Sequence, residues 1–174
     1  MSATVNQYLD TCALLDWALM PQRPDADIAG NRILALVAAP EVQLAISEFT
    51  LLESLDHCSR KLMHGETDSV HYDEAWWTST RTQLMAWIAD GTIVVVPTPP
   101  SFAESAIRLV EYVTRSKQRQ LRALDSAHLI AALSWARALG NSVVFSTSDI
   151  KLTAVFTEMP ELSEHLSVEN LRDP

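Results

Sequence analysis

The chain has 174 residues, a formal net charge of −9 and an apolar fraction of 48%. That length suits one domain with a sizeable core, and that apolar fraction excludes disorder. The acid excess argues against a broad electrostatic grip on nucleic acid, although a local basic strip beside a bound cation is compatible with it.

No apolar run reaches the roughly 18–20 residues that span a bilayer. The opening Met1-Ser2-Ala3-Thr4 lacks the basic and apolar stretches of a secretory signal, so a cytoplasmic protein is expected, with no membrane partner. Cys12 and Cys58 are the only cysteines. They read as reduced structural thiols and are too few for a cysteine-built zinc site.

Residues 5–9 read as a strand that runs into Asp10 and then a helical pattern over 11–20, stopped by Pro21 and Pro24. Asp25 is a plausible N-cap for a helix carrying Ile28, Ile33, Leu34 and Val37, ended by Pro40. The apolar run 42–46 predicts a second strand. Ser47 reads as the N-cap of a helix reaching about Met63, with Glu48 favourable in its first turn.

A second long helical pattern covers 68–90, stopped by Gly91. The β-branched run 93–96 predicts a third strand, and Pro97-Thr98-Pro99-Pro100 turns the chain away. Ser101 and Glu104 have capping-box spacing and open a helix to about Thr114. From about 121 to 139 the pattern is apolar on most faces, the mark of a buried helix, with Gly140 as its stop. A fourth strand over 141–146, a short helix over 152–156 and an edge strand over 166–171 complete the chain.

Strands alternating with helices predict an α/β domain with a mainly parallel sheet. Sites in such sheets lie beyond the carboxyl ends of the strands, where strand order reverses. Asp10 and Asp149 both fall just past a strand end.

Asp10 is not expected in the core, because an unpaired buried carboxylate is costly; it needs a cation, a donor or water. Glu53 lies opposite the apolar stripe of its helix, on a face with Thr50 and His57, and periodicity alone favours a solvated acid. Asp125 opens the most apolar helix, where the simple alternative is a cap or first-turn acid. His128 shares its face and reads as a hydrogen-bonded core histidine before a metal ligand. Asp149 has an N-cap as its alternative. Four acids on one predicted rim offer hard oxygen donors suited to Mg²⁺ or Mn²⁺.

These segments resemble a PIN domain, most of all the ribonuclease toxins of VapBC toxin–antitoxin pairs. The matching motifs are Tyr8-Leu9-Asp10-Thr11, Ile46-Ser47-Glu48-Phe49-Thr50-Leu51-Leu52-Glu53, Leu124-Asp125-Ser126-Ala127-His128-Leu129 and Thr147-Ser148-Asp149. They occur in family order and cover about residues 5–157. The resemblance implies a PIN-like three-layer sandwich with a central, mainly parallel sheet flanked by helices. It implies one domain over 1–174; the helical segment at about 64–91, which holds three of the five Trp, departs from the family by being longer than in compact toxins. It further implies a Mg²⁺- or Mn²⁺-dependent endoribonuclease. Asp10, Glu53, Asp125 and Asp149 would be its catalytic and metal-binding acids, and Thr147 a supporting hydrogen-bonder. A small antitoxin and a homodimer are the expected partners.

Arg115, Arg119 and Arg122, with Lys117, precede Asp125. If helical, the three arginines share one face and suit RNA phosphates; a solvated helix end is the competing reading. The Trp residues of 64–91 read as core before base-stacking platforms. The alternatives to the toxin are a catalytically silent PIN-like binding or regulatory module and a housekeeping RNA-processing nuclease.

Overall fold

A computed structural model describes residues 4–20, 27–64, 72–117, 121–159 and 162–173. Five strands, β1 (Val5–Leu9), β2 (Val42–Ser47), β3 (Ile93–Val96), β4 (Val143–Thr147) and β5 (Leu166–Asn170), form one sheet in the order β3-β2-β1-β4-β5. All four pairings are parallel. The described helices are α1 (Thr11–Leu19), α2 (Asp27–Ala38), α3 (Glu48–His64), α4 (Glu74–Ala89), α5 (Phe102–Lys117), α6 (Ala123–Leu139) and α7 (Ile150–Glu158). The parallel sheet is what the alternating pattern led one to expect, and strand order reverses at β1, between its neighbours β2 and β4.

Alternation along the strands builds a core on each face of the sheet. Tyr8, Ala45 and Phe145 face α5, α6 and α7. Leu9, Leu44, Ile46 and Ile93 face α1, α2, α3 and α4. Tyr8 and Phe145 stack at 5.5 Å, both fully buried. Burying one such side chain contributes about 1.5–3 kcal/mol, so the two layers of helices are held chiefly by these faces.

The second long helix begins at Glu74 rather than 68, because Asp73 caps it by accepting the Trp76 N–H at 2.8 Å. Residues 65–71 and Asp25 lie outside the described residues. Trp76 and Trp87 are buried. Trp76 Nε1 donates to the Ala18 carbonyl at 3.0 Å, and Trp87 packs on Trp17 at 4.6 Å. They are core, as read. Ser47 ends β2 yet its hydroxyl still caps α3, accepting the Thr50 N–H at 3.1 Å. Gly140 closes α6 in the left-handed region, φ 65°, which a side chain would strain.

One buried acid had no sequence signal. Asp16 of α1 is 3% exposed, and the Arg172 guanidinium grips both its oxygens, at 2.6 and 3.0 Å. This fork clasps the segment after β5 onto α1.

Candidate active site

The site grows from three helix starts. Asp10 leaves β1 and caps α1, its Oδ1 accepting the Ala13 N–H at 2.8 Å. Its own N–H donates to the Ser146 carbonyl of β4 at 3.1 Å. Asp149 follows β4 and caps α7, its Oδ1 accepting the Lys151 N–H at 2.8 Å. Asp125 sits in the first turn of α6, where the Arg122 backbone hydrogen-bonds its carboxylate. The first-turn reading of Asp125 and the cap reading of Asp149 therefore hold, Asp10 is a cap as well, and all three stand where helix dipoles favour negative charge.

Thr147 joins two of them. Its hydroxyl donates to Asp10 Oδ2 at 2.6 Å and accepts the Asp149 N–H at 3.0 Å. Asp10 is 2% exposed, which corrects the expectation that it stays out of the core. Burial is tolerated because two donors, Ala13 N–H and Thr147 Oγ1, satisfy it.

Glu53 corrects the solvated reading too. Its side chain is 30% exposed. Oε2 accepts from Thr11 Oγ1 at 2.6 Å and lies 3.3 Å from His128 Nε2. The polar face it shares with Thr50 turns inward, because α6 covers it. His128 is 3% exposed and hydrogen-bonded on both nitrogens. Nδ1 lies 3.3 Å from the Tyr8 hydroxyl and 3.2 Å from Thr50 Oγ1; Nε2 lies 3.1 Å from Thr11 Oγ1. His128 is thus a hydrogen-bonded core histidine, as the sequence suggested. Of the groups around it, Thr50 was placed on the Glu53 face, while Tyr8 and Thr11 were given no role of their own. The only available signal was a hydroxyl beside Asp10 and another three residues before Glu53.

Charge crowding shows in the proton affinities. Burial raises the Asp10 carboxyl to about 6, with Asp125 adding to the rise and His128, Thr147 and Ala13 opposing it. Burial, then Asp149, raises Asp125, while Arg122 and His128 lower it. The His128 hydrogen bond holds Glu53 below the usual glutamate range. Cys12 shows surface to solvent, yet its thiol is pushed up to about 12. Crowding by the surrounding protein comes first, then Asp10, Asp149, Asp125 and Glu53 in turn. One point on α1 therefore senses all four acids, and Cys12 is not a nucleophile at neutral pH.

The carboxylates form a hard-oxygen donor set of the kind that Mg²⁺ and Mn²⁺ take. Among the described residues, no three His, Cys, Asp or Glu side chains converge closely enough in this conformation to hold an ion. The donor chemistry fits such a cation, and the side-chain positions leave it ungathered. A cavity of about 380 Å³ opens beside the acids, its lining including Cys12, Asp16, His57, Asp149, Lys151 and Arg172.

The basic strip is not one helical face. Arg115 is in α5, Arg122 is the N-cap of α6, and Arg119 lies outside the described residues. The chain breaks helix between them, so i, i+4, i+7 spacing does not apply. Arg115 is exposed near Glu111 at 3.9 Å, whereas Arg122 sits beside Asp125. The surface groove of apolar character also lies away from the Trp segment. It runs between α5 and α6, about 460 Å³, lined by Phe49, Phe102, Ile107, Val110, Leu124 and Ala127.

No family model matches the sequence, and no curated protein is similar to it. Solved structures are similar in fold. The chain resembles one from the VapBC2 complex of Rickettsia felis bound to a DNA fragment from its promoter. The TM-score is 0.58 at 13% identity, over 94% of this chain and 98% of that one. It also resembles a chain of a toxin–antitoxin complex from Klebsiella pneumoniae. There the TM-score is 0.51 at 21% identity, over 92% and 95% of the two chains. The parallel five-stranded sheet with helices on both faces is thus a fold shared with these chains, in keeping with the expected PIN-like α/β sandwich.

Proposed function

We propose that this PIN-like chain is a divalent-metal-dependent endoribonuclease, the toxin of a toxin–antitoxin pair. The observation that carries the reading is Asp10. A carboxylate 2% exposed, raised to about 6 and coupled to Asp125, stands where strand order reverses. Capping accounts for an acid at each helix start but not for crowding them at one point, and perturbed carboxyls in such a crevice mark functional sites.

Asp10, Asp125 and Asp149 would hold a Mg²⁺ or Mn²⁺ ion, and Glu53 would bind it or orient water. When bound, such an ion supplies activated water and charge stabilisation for in-line displacement at phosphorus. The protein's own part is orientation. Thr147 fixes Asp10 against Asp149, and the caps fix each acid to the start of its helix. Ordered backbone at each acid limits the rearrangement a ligand demands.

An inhibitor is required if the enzyme is not to destroy the RNA of its own cell. One of the similar structures is a toxin–antitoxin complex, and the other is VapBC2 on a promoter fragment. Here a small antitoxin would present a basic side chain to the four acids, and the apolar groove by Leu124 adjoins the α6 turn that bears Asp125.

The test is cleavage of RNA by purified protein with Mg²⁺ or Mn²⁺, silenced by chelator and by Asp10→Asn. Cleavage that survives the chelator overturns the metal mechanism. One observation favours a second reading, a binding module without turnover: among the described residues no three acids converge on an ion position. Absence of cleavage together with intact partner binding would select it.

A further inference from the structure

We infer that His128 is a positioning residue for Glu53: it fixes which carboxylate oxygen the acid offers to the site. The inference rests on the metal reading above and deepens it.

Proton counting assigns the ring. Thr11 Oγ1 has one proton and donates it to Glu53 Oε2 at 2.6 Å. At the 3.1 Å contact with His128 Nε2, the same hydroxyl can therefore only accept. The other neighbour, at 3.3 Å, is Glu53 Oε2, the same oxygen that accepts the Thr11 proton. Both neighbours of Nε2 are acceptors, and Nε2 must carry a proton. That conclusion stands whether or not the second nitrogen is also protonated.

The other edge of the ring is fixed independently. Nδ1 meets the Tyr8 hydroxyl and Thr50 Oγ1, and those two hydroxyls lie 3.2 Å apart. Thr50 is in turn held by Ser47, whose hydroxyl is 3.0 Å away. Tyr8, Thr50 and Ser47 are all 0–2% exposed, so this frame excludes water that could substitute for it. Tyr8 comes from β1, Thr50 from α3 and His128 from α6. The imidazole therefore locks the helix carrying Glu53 to the strand that delivers Asp10.

Both contacts on Glu53 fall on Oε2. Among the described residues, Oε1 is left as the oxygen for a ligand. Removing the Nε2 donor leaves Oε2 held by the single Thr11 hydroxyl, which restrains less well a terminal torsion that is broad by nature. Outer-layer partners of this kind change metal affinity about 10–100-fold when lost.

The experiment compares wild type with His128→Gln, whose amide nitrogen replaces the Nε2 donor, and His128→Asn, whose amide nitrogen replaces Nδ1. Tyr8→Phe serves as a second variant if His128→Asn fails to fold, because it loosens the ring while leaving the imidazole in place. The readouts are Mn²⁺ affinity by calorimetry, melting temperature and, for wild type, the imidazole tautomer by long-range ¹H–¹⁵N NMR. Expected are an Nε2–H ring, affinity within about threefold for His128→Gln, and a loss of about 10–100-fold for His128→Asn. Tyr8→Phe should weaken Mn²⁺ binding measurably. Affinity unchanged in His128→Asn or, should that variant not fold, in Tyr8→Phe overturns the inference. So does a wild-type ring protonated on Nδ1 alone. Wild-type protein that binds no Mn²⁺ overturns the metal reading itself, an outcome visible before any variant is compared.

Discussion

Thr147 Oγ1 donates to Asp10 Oδ2 at 2.6 Å, spanning 137 positions of sequence to join the ends of two neighbouring strands. The same oxygen accepts the Asp149 N–H. A single hydroxyl thus sets the separation of two acids, and the acids inherit the precision of the β1–β4 pairing instead of the looseness of their loops.

Asp10→Asn should abolish cleavage while the metal-free protein melts no lower than wild type. Asn keeps an oxygen for the Ala13 N–H and loses the buried charge. Burial raises Asp10 in the folded chain to about 6 from 3.8, so the folded state binds the extra proton between those values. The charged form costs stability above that window, and the cost fades as pH falls through it. The melting advantage of Asp10→Asn should be greatest near pH 7 and shrink toward about pH 4. Each kcal/mol recovered is worth roughly 2–4 °C at this chain length. A large drop in melting temperature would mark Asp10 as a structural cap first.

RNA affinity should depend on Arg122 more than on Arg115. Arg122 stands beside Asp125, while Arg115 lies out on α5 against Glu111. In an Asp10→Asn background, Arg122→Ala is expected to flatten the salt dependence by about one counterion, with Arg115→Ala close to neutral. Arg119→Ala completes the series. Equal slopes for all variants and wild type would assign the arginines to the solvated surface, and Lys151, on the rim of the cavity, would become the next candidate.

What was legible in the sequence divides along lines of range. Asp10 and Asp149 were readable because a strand ending in an acid before a helix is a local pattern with a local cause. Glu53 was not. Its helical periodicity reports only its own helix, and the wall that buries it is His128, 75 positions away. Asp16 was invisible for the same reason, its partner Arg172 being 156 positions distant. The arginine spacing misled because the helix it assumed breaks before α6.

Gly30→Ala should destabilise the fold, although alanine is by about 1 kcal/mol the better helix former. An added methyl would meet Met20 Sδ at 2.8 Å, Met20 Cβ at 3.0 Å and the Asp16 carbonyl at 3.1 Å. The sulfur can move; the carbonyl belongs to α1 and cannot without shifting the helix that starts at Asp10. A net loss of about 1–3 kcal/mol is expected in urea unfolding. Unchanged stability would show that α1 and α2 separate freely.

Expression alone should arrest growth, and Asp10→Asn should relieve the arrest. Co-expression with a small protein encoded next to it should also restore growth and yield a co-purifying complex. Wild-type protein that cleaves RNA in vitro yet is harmless when abundant would instead be a housekeeping RNA-processing enzyme.

The sheet order also governs when the site can exist. β1 can pair with β2 as soon as both are made, but its other flank stays open until β4 arrives, and Gln7 waits for Val144. Asp10 has no Thr147 to hold it, and Glu53 no His128, until most of the chain has been made. β4 itself is covered on its far side only by β5, which ends at Asn170. During synthesis the acids therefore stay apart until β4 joins β1, and the cluster is a property of the assembled sheet rather than of any segment alone.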